Sequence, residues 1–222
     1  MPDPLQTIRD SAARLLAEVP SAVVIVAACK NRSPMEIEAA YQAGLRHFGH
    51  NYVQEAQSML PRLSFKGEWH LIGHLQRNKA SVAIQLFNII ETVDSIHLAQ
   101  ELEKRCTQAD KNLSVLIEIN SGREPNKSGV FPENVEKLAA EVGNLPHLRL
   151  EGLMTMGPRF GNPEDARPNF METRTIFNQL SAMNLPNQQM RWLSMGMSNS
   201  YKVAIEEGAN LIRIGTAIFG ER

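Results

Sequence analysis

The first candidate for chemistry in this sequence is a lysine that directly follows its most apolar run. Lys30 comes after Val23-Val24-Ile25-Val26-Ala27-Ala28-Cys29, a composition typical of a strand buried on both faces. The lysine ammonium is strongly hydrated, so at the end of a buried strand it is either a solvated surface group or a group with a chemical role. The position alone favours the surface lysine, and the choice depends on the rest of the chain.

A serine-rich stretch near the carboxyl end supplies a second candidate site. Ser194, Gly196 and Ser198 surround a predicted strand-to-helix turn, where backbone N–H groups and hydroxyls can hold a phosphate. The alternative is an ordinary helix N-cap, a role for which serine is strongly preferred.

The final predicted strand carries an arginine within an apolar sequence. Arg213 and Gly215 share one face of this strand, and Gly215-Thr216 offers a close approach of backbone to a ligand. A buried arginine needs an acceptor or an anion, whereas a surface arginine is the alternative.

An amine, a phosphate-binding turn and an arginine together suit pyridoxal 5′-phosphate (PLP). The lysine would form a Schiff base, the turn would hold the phosphate and the arginine would face the ring. A barrel enzyme acting on sugar phosphates uses similar parts and stays an alternative. It would also need an acidic general base, and Glu91 and Glu118 lie inside predicted strands without a supporting motif.

Predicted strands alternate with predicted helices along the whole chain. Eight such units favour a closed (β/α)8 barrel over an open doubly wound sheet, with the active site at the carboxyl ends of the strands. The predicted strands cover residues 23–29, 47–51, 69–74, 89–93, 113–120, 150–156, 191–197 and 211–218.

Period-two alternation along the first strand assigns its two faces. Val24, Val26, Ala28 and Lys30 share one face, which we expect to line the barrel, since an outward Lys30 would lie beneath the helices. Cys29 then points away from the site and is predicted to be a packing thiol.

Composition indicates one ordinary globular domain over residues 1–222. Of the 222 residues, 43% are hydrophobic and 21% charged, and the net charge of −1 gives no electrostatic case for nucleic acid or a membrane surface. We expect a cytoplasmic monomer, without a signal peptide and with Cys29 and Cys106 reduced. The histidine spacing predicts no metal site.

Several longer motifs stand in a fixed order from about residue 23 to the C-terminus, and together they resemble the pyridoxal phosphate homeostasis protein family. They are Val26-Ala27-Ala28-Cys29-Lys30, Arg46-His47-Phe48-Gly49-His50-Asn51-Tyr52-Val53-Gln54-Glu55, Trp69-His70-Leu71-Ile72-Gly73-His74-Leu75-Gln76, Lys127-Ser128-Gly129, Gly152-Leu153-Met154-Thr155-Met156, Leu193-Ser194-Met195-Gly196-Met197-Ser198, Val203-Ala204-Ile205-Glu206-Glu207-Gly208 and Arg213-Ile214-Gly215-Thr216-Ala217-Ile218-Phe219-Gly220.

The resemblance implies a barrel like the N-terminal domain of alanine racemase, holding PLP as a Schiff base on Lys30. It implies that Arg213 lies near the ring or phosphate and that Asn51 and Met154 line the pocket. The phosphate would be held by Ser194, Gly196, Ser198, Gly215 and Thr216. Such proteins are implicated in PLP (vitamin B6) and amino-acid homeostasis without dedicated catalysis, so no catalytic residue is assigned; PLP-dependent apo-enzymes are candidate partners.

The alternative on the same barrel is a PLP-dependent amino-acid racemase or decarboxylase. Racemases of this type carry a C-terminal β domain, and here the sequence ends after the eighth predicted strand, so we expect an open pocket without a second acid or base. The resemblance departs at His50, Asn31 and Asn199, where the family has glutamate, threonine and an acidic residue.

Overall fold

The computed structural model describes residues 3–157 and 161–221, and in this part of the chain eight parallel strands close into a barrel. Each strand pairs with the next, and β8 pairs with β1 to complete the ring. The predicted (β/α)8 fold is confirmed. The strands are β1 (Val24–Ala28), β2 (His47–His50), β3 (Glu68–Leu71), β4 (Ile89–Val93), β5 (Leu113–Ile119), β6 (Leu148–Thr155), β7 (Gln188–Ser194) and β8 (Leu211–Ile214).

Helices follow the strands and cover the barrel. The second helix begins with the predicted capping box, in which the Ser33 hydroxyl accepts from the N–H of Glu36 and the Glu36 carboxylate accepts from the N–H of Ser33. The helices are α1 (Pro4–Glu18), α2 (Pro34–Gln42), α3 (Val53–Met59), α4 (Ala80–Leu86), α5 (Ile96–Ala109), α6 (Val135–Gly143), α7 (Arg167–Met183), α8 (Tyr201–Glu206) and α9 (Thr216–Phe219), with short 3-10 turns at Leu60–Arg62, Arg77–Lys79, Pro132–Asn134 and Pro163–Ala166. No helix among the described residues is long and apolar enough to cross a membrane.

The two faces of β1 pack in different layers. Val24, Val26 and Ala28 contact Ile72 and Leu211 inside the barrel. Ile25, Ala27 and Cys29 belong to the large apolar layer between barrel and helices, where they pack with residues of those helices. The predicted inward face of this strand is therefore confirmed. Burial also raises the pKa of the Cys29 thiol, as expected of a packing cysteine.

Two strands differ from their predicted limits. The seventh, predicted at 191–197, is Gln188–Ser194, because its pairing with β6 runs from Leu150–Gln188 to Met154–Ser194. The eighth, predicted at 211–218, ends at Ile214, since Gly215 leaves the extended conformation (φ −112°, ψ −80°) and α9 begins at Thr216. Gly196, Ser198, Gly215 and Thr216 consequently lie beyond the strand ends.

The closest backbone approach between strands depends on a glycine of β6. A Cβ atom on Gly152 would lie 1.9 Å from the carbonyl oxygen of Trp192 on the neighbouring β7. That oxygen belongs to backbone held in the barrel, so it cannot move aside as a flexible side chain would.

Gly152→Ala is therefore expected to lower the free energy of unfolding by about 3 kcal/mol, the cost of overpacking a closed sheet. Chemical denaturation measures this loss. Gly122→Ala is the control, because its nearest neighbour would be the flexible side chain of Glu124 at 3.1 Å. Equal stability of the two variants would contradict the proposed contact.

Candidate functional site

A cavity of about 570 Å³ lies at the carboxyl ends of the strands and brings together most of the predicted site residues. Its size suits a cofactor-sized ligand. Six predicted residues line it, namely Lys30, Asn51, Ser198, Arg213, Gly215 and Thr216, together with Ala28, Arg32, Ile72, Met156, Met197, Asn199 and Glu221. Among these described lining residues three are cationic and one is acidic, so the cavity is suited to an anion.

Lys30 lies in the turn after β1, two residues beyond the last inward side chain of that strand. The turn is closed by the N–H of Arg32, which donates to the carbonyl of Cys29 at 3.1 Å. Asn31 occupies the left-handed region (φ 58°), which asparagine tolerates, and its N–H donates to the Glu55 carboxylate. The Lys30 Nζ atom lies 5.4 Å from the centroid of the Tyr52 ring. These contacts hold the amine at the edge of the cavity.

Two backbone N–H groups converge on Ser198 at the same cavity. Those of Gly215 and Ala217 donate to the Ser198 Oγ atom at 3.2 and 3.3 Å. A Cβ atom on Gly215 would have Ala28 Cβ, at 3.6 Å, as its nearest neighbour, so an ordinary side chain could fill this space. We call Ser198 with the N–H groups of Gly215 and Ala217 the cradle. Gly215 has no side chain, so it leaves space in the cavity.

Arg213 forms the floor of the cavity and is tied into the barrel interior. It is 4% exposed. One of its terminal nitrogens donates to the Ser194 hydroxyl, and the other donates to the carbonyl of Thr155 at 2.7 Å. Burial lowers the pKa of Arg213, while Glu91 and Glu118 raise it. Since arginine is charged far above neutral pH, it remains a buried cation.

The acceptor that balances Arg213 is Glu91, a fully buried residue of β4. Glu91 Oε2 lies 3.7 Å from the Arg213 guanidinium and accepts from the Ser194 hydroxyl at 2.6 Å. Glu91 Oε1 lies 2.7 Å from Nδ1 of His70. Burial opposes the charge of Glu91, but the contact with His70, the charge of Arg213 and the Ser194 hydroxyl together lower its pKa. The carboxylate is therefore ionised at neutral pH.

The chain of polar contacts continues from His70 to His47 at the start of β2. His70 Nε2 and His47 Nδ1 are 3.0 Å apart. Burial, with the charge of His70, lowers the pKa of His47 to about 4, so this ring is neutral at pH 7. We call His47, His70, Glu91, Ser194 and Arg213 the interior polar chain. His70 is thus a satisfied core histidine, as its sequence position favoured.

Three predicted site residues do not line the cavity. Ser194 is fully buried within the interior polar chain, and Met154 is fully buried against Ile89 and Leu116 inside the barrel. Gly196 adopts a positive φ (89°) against α8, where a Cβ atom would lie 2.6 Å from Ala204 Cβ. Ser194 and Met154 therefore lie in the barrel interior, and Gly196 lies against α8.

His50 and His74, which stand at the ends of the second and third predicted strands, lie outside this cavity. His50 points away from the barrel interior, fully buried, stacked on Trp69 at 5.7 Å and 3.7 Å from the Glu55 carboxylate, because period-two alternation puts it on the outer face of β2. His74 lines a neighbouring cavity of about 390 Å³ and pairs with Asp94 at 3.2 Å.

Sequence reasoning missed Arg32, Tyr52 and Met156 as residues around the site. Arg32 ties the turn after β1 to the last helix by donating to the carbonyls of Phe219 and Gly220 at 3.1 and 2.6 Å. Met156 lines the cavity two residues beyond Met154, so the alternation rule could have selected it. For Arg32, 187 residues from Phe219 in sequence, no local signal exists.

The fold and the site place the chain in a known class of barrels. The family described as "Alanine racemase, N-terminal domain" matches residues 5–222. Alanine racemase from Clostridium difficile shares this fold, with a TM-score of 0.79 and 15% identity over 100% of this chain and 56% of that chain.

Relatives of higher sequence identity show the family to which the chain belongs within this class of barrels. The pyridoxal phosphate homeostasis proteins of Aquifex aeolicus and Haemophilus influenzae are 41% and 40% identical, over 89% and 90% of this chain and 86% and 85% of theirs. PipY of Synechococcus elongatus, solved with PLP bound, has a TM-score of 0.88 and 32% identity, covering 96% of this chain and 100% of that one. The chain therefore belongs to the pyridoxal phosphate homeostasis protein family.

Glu118 is the second carboxyl group inside the barrel and lies outside the interior polar chain. It is 3% exposed, and among the described residues its Oε2 atom has no hydrogen-bond partner. Burial, together with the charges of Asp94 and Glu91 and against that of Arg213, raises its pKa to about 7. The folded protein therefore holds a proton here that the unfolded chain releases.

This proton gives Glu118 a defined effect on stability. Between the ordinary value of 4.5 and about 7 the folded state binds more protons, so the Glu118 contribution to stability falls as pH rises. Glu118→Gln keeps the neutral form, and we expect it to be more stable than the wild type by about 2–3 kcal/mol at pH 8. Urea unfolding at pH 5 and pH 8 tests this, and an advantage of equal size at both values would contradict it.

Proposed function

We propose that this protein binds PLP in the cavity at the carboxyl ends of the strands, covalently through Lys30. We further propose that it serves intracellular PLP and amino-acid homeostasis without dedicated catalysis. The observation that carries the proposal is that one cavity combines a lysine amine, a cradle of backbone donors and a buried arginine. The names of the relatives, and PLP in the solved PipY structure, support it.

The residues present fit this cofactor by three criteria. The lining side chains have an excess of cations, which suits a phosphate ester. The cradle formed by Gly215, Ala217 and Ser198 presents a hydroxyl held in place by two N–H groups, and Gly215 leaves room in the cavity. The volume of about 570 Å³ accommodates a substituted pyridine and its phosphate.

Each residue of the site has a proposed role in binding the cofactor. PLP supplies an aldehyde that joins covalently to primary amines. Lys30 presents the amine, with the Tyr52 ring on one side of it. The Ser198 hydroxyl, which is held by the N–H groups of Gly215 and Ala217, binds the phosphate, with Thr216 beside it at the start of α9. Asn51 lines the wall between this cavity and the neighbouring one.

The charge of Arg213 favours binding of the cofactor and disfavours catalysis with it. A guanidinium has only donor groups, so Arg213 would disfavour protonation of a pyridine nitrogen placed beside it. Its charge would thereby weaken the electron withdrawal that the cofactor supplies when bound. The relatives are named for homeostasis of pyridoxal phosphate, and such a function needs reversible binding of the cofactor.

The proposal includes a setting and partners. We place the protein in the cytoplasm, supported by two buried, unpaired cysteines, and we propose that it acts as a monomer. PLP is its ligand, and PLP-dependent apo-enzymes are the proposed recipients. Racemisation of an amino acid sustained at about 1 s⁻¹ or faster would contradict a non-catalytic role.

The covalent attachment is tested by spectroscopy and by trapping. Protein with PLP should absorb in the visible, and borohydride should fix the cofactor on one peptide that contains Lys30. Lys30→Ala should lose both signals. Lys79→Ala is the control, because Lys79 lines the neighbouring cavity and should leave both signals unchanged. A wild-type protein that stays colourless with added PLP would refute the proposal.

The phosphate cradle is tested by filling it. Gly215→Ala should fold normally, since its Cβ atom would keep 3.6 Å from Ala28, yet occupy space in the cavity that both residues line. We expect PLP affinity to fall at least about tenfold, equivalent to about 1.4 kcal/mol, with an unchanged melting temperature. Spectroscopic titration measures the affinity. Wild-type affinity in this variant would place the phosphate elsewhere.

A further inference from the structure

Ser194 has its single hydroxyl proton committed in the barrel interior. Its Oγ atom donates to Glu91 Oε2 at 2.6 Å and accepts from the Arg213 guanidinium. Because a hydroxyl has only one proton, donation to Glu91 turns the oxygen lone pairs toward Arg213. Ser194 is also fully buried and absent from the cavity lining. The contacts of Ser194 therefore fix the Arg213 guanidinium.

Glu91 is itself fixed by contacts at both oxygens. His70 approaches Oε1 at 2.7 Å while Ser194 occupies Oε2. An ionised carboxylate only accepts, so His70 Nδ1 carries the proton of that contact. His47 holds the other side of the His70 ring at 3.0 Å. The carboxylate that faces Arg213 cannot rotate without breaking charge-assisted hydrogen bonds.

Arg213 is the point at which this chain meets the ligand cavity. Its guanidinium is fixed on one side by Ser194 and Glu91 and on the other by the carbonyl of Thr155, at 2.7 Å. Thr155 is in turn fixed, since its hydroxyl donates to the carbonyl of Ile119 at 2.9 Å. A planar cation held at both ends presents its remaining donors in one direction.

We propose that Glu91, acting through Ser194, is a positioning residue that sets the orientation of Arg213 toward bound PLP. The inference rests on the proposed function, and it assigns Ser194 to the arginine in place of the phosphate. The two histidines are the support that keeps Glu91 in place. A purely structural role for the same residues would affect folding stability and leave the geometry of the bound cofactor unchanged.

The test compares three single variants of the full chain with PLP as the probe. Glu91→Gln removes the charge at Arg213, and Ser194→Ala removes the hydroxyl that joins them. Glu118→Gln is the matched control, and all variants are compared at pH 8, above the Glu118 pKa of about 7. There it removes the charge of another buried carboxyl group of the same barrel interior, for which the described residues show no hydrogen bond to Arg213. The readouts are PLP affinity, visible circular dichroism per bound cofactor and borohydride trapping on Lys30.

Glu91→Gln and Ser194→Ala should both trap PLP on Lys30. Each should bind it at least about tenfold more weakly, the usual effect of losing a hydrogen bond to a charged group. Their visible dichroism should change, because that signal reports how the bound chromophore is oriented. The double variant should be no weaker than the weaker single variant, since both changes act on one contact. Glu118→Gln should match the wild type in all three readouts.

The results separate this inference from the proposed function. A wild type that fails to bind PLP refutes the function, and the positioning role with it. Normal wild-type binding, with unchanged affinity and dichroism in Ser194→Ala, overturns the positioning role alone. So do equal losses in Glu118→Gln, which would indicate a general charge effect. Should Glu91→Gln fail to fold, Ser194→Ala decides the outcome, because it removes one oxygen and leaves the buried charges in place.

Discussion

The structure depends on a buried charge pair, Glu91 with Arg213, inside the barrel. The pair lies between two apolar groups of interior side chains, one around Val26 and the other around Leu116. Isolated charges in such surroundings would be very costly, so every contact that the pair makes is needed. Ser194, His70 and the Thr155 carbonyl supply these contacts from β7, β3 and β6. Four strands are thereby held in register around one cation.

This constraint explains the form of the ligand cavity. Above Arg213 the strands end, and the chain leaves them through turns whose polar groups face the opening. The turn after β1 carries Lys30, and the start of α9 carries the cradle around Gly215. Arg32 joins these two turns by donating to the carbonyls of Phe219 and Gly220. The amine and the cradle are therefore fixed relative to each other by the hydrogen bonds of Arg32.

Local rules predicted the fold and the cavity lining well, and the interior polar chain poorly. Alternation of side chains assigned Lys30 to the inner face, and strand parity selected Arg213, because both depend only on nearby sequence. Glu91 meets Ser194 across 103 residues, so nothing local marks either as a partner of the other. The ends of β7 and β8 were missed for the same reason, because pairing with neighbouring strands decides where a strand ends. Ser194 is predicted to hold phosphate because it lies beside a strand-to-helix turn and because the family resemblance implies it, and nearby sequence gives no sign of its contact with Glu91.

A fixed arginine and a lysine at the rim have different consequences for what the site can do. Arg213 is buried apart from the part that lines the cavity, and it is held by charged and backbone contacts, so it sets one orientation for whatever lies above it. Lys30 is only half-buried, in a turn closed by a few hydrogen bonds. Catalysis of proton transfer needs both sides of a reacting atom enclosed and water excluded, whereas holding a ligand needs only one rigid wall and an accessible point of attachment. The rigid floor and accessible amine match the second requirement, and the interior polar chain is what makes that floor rigid.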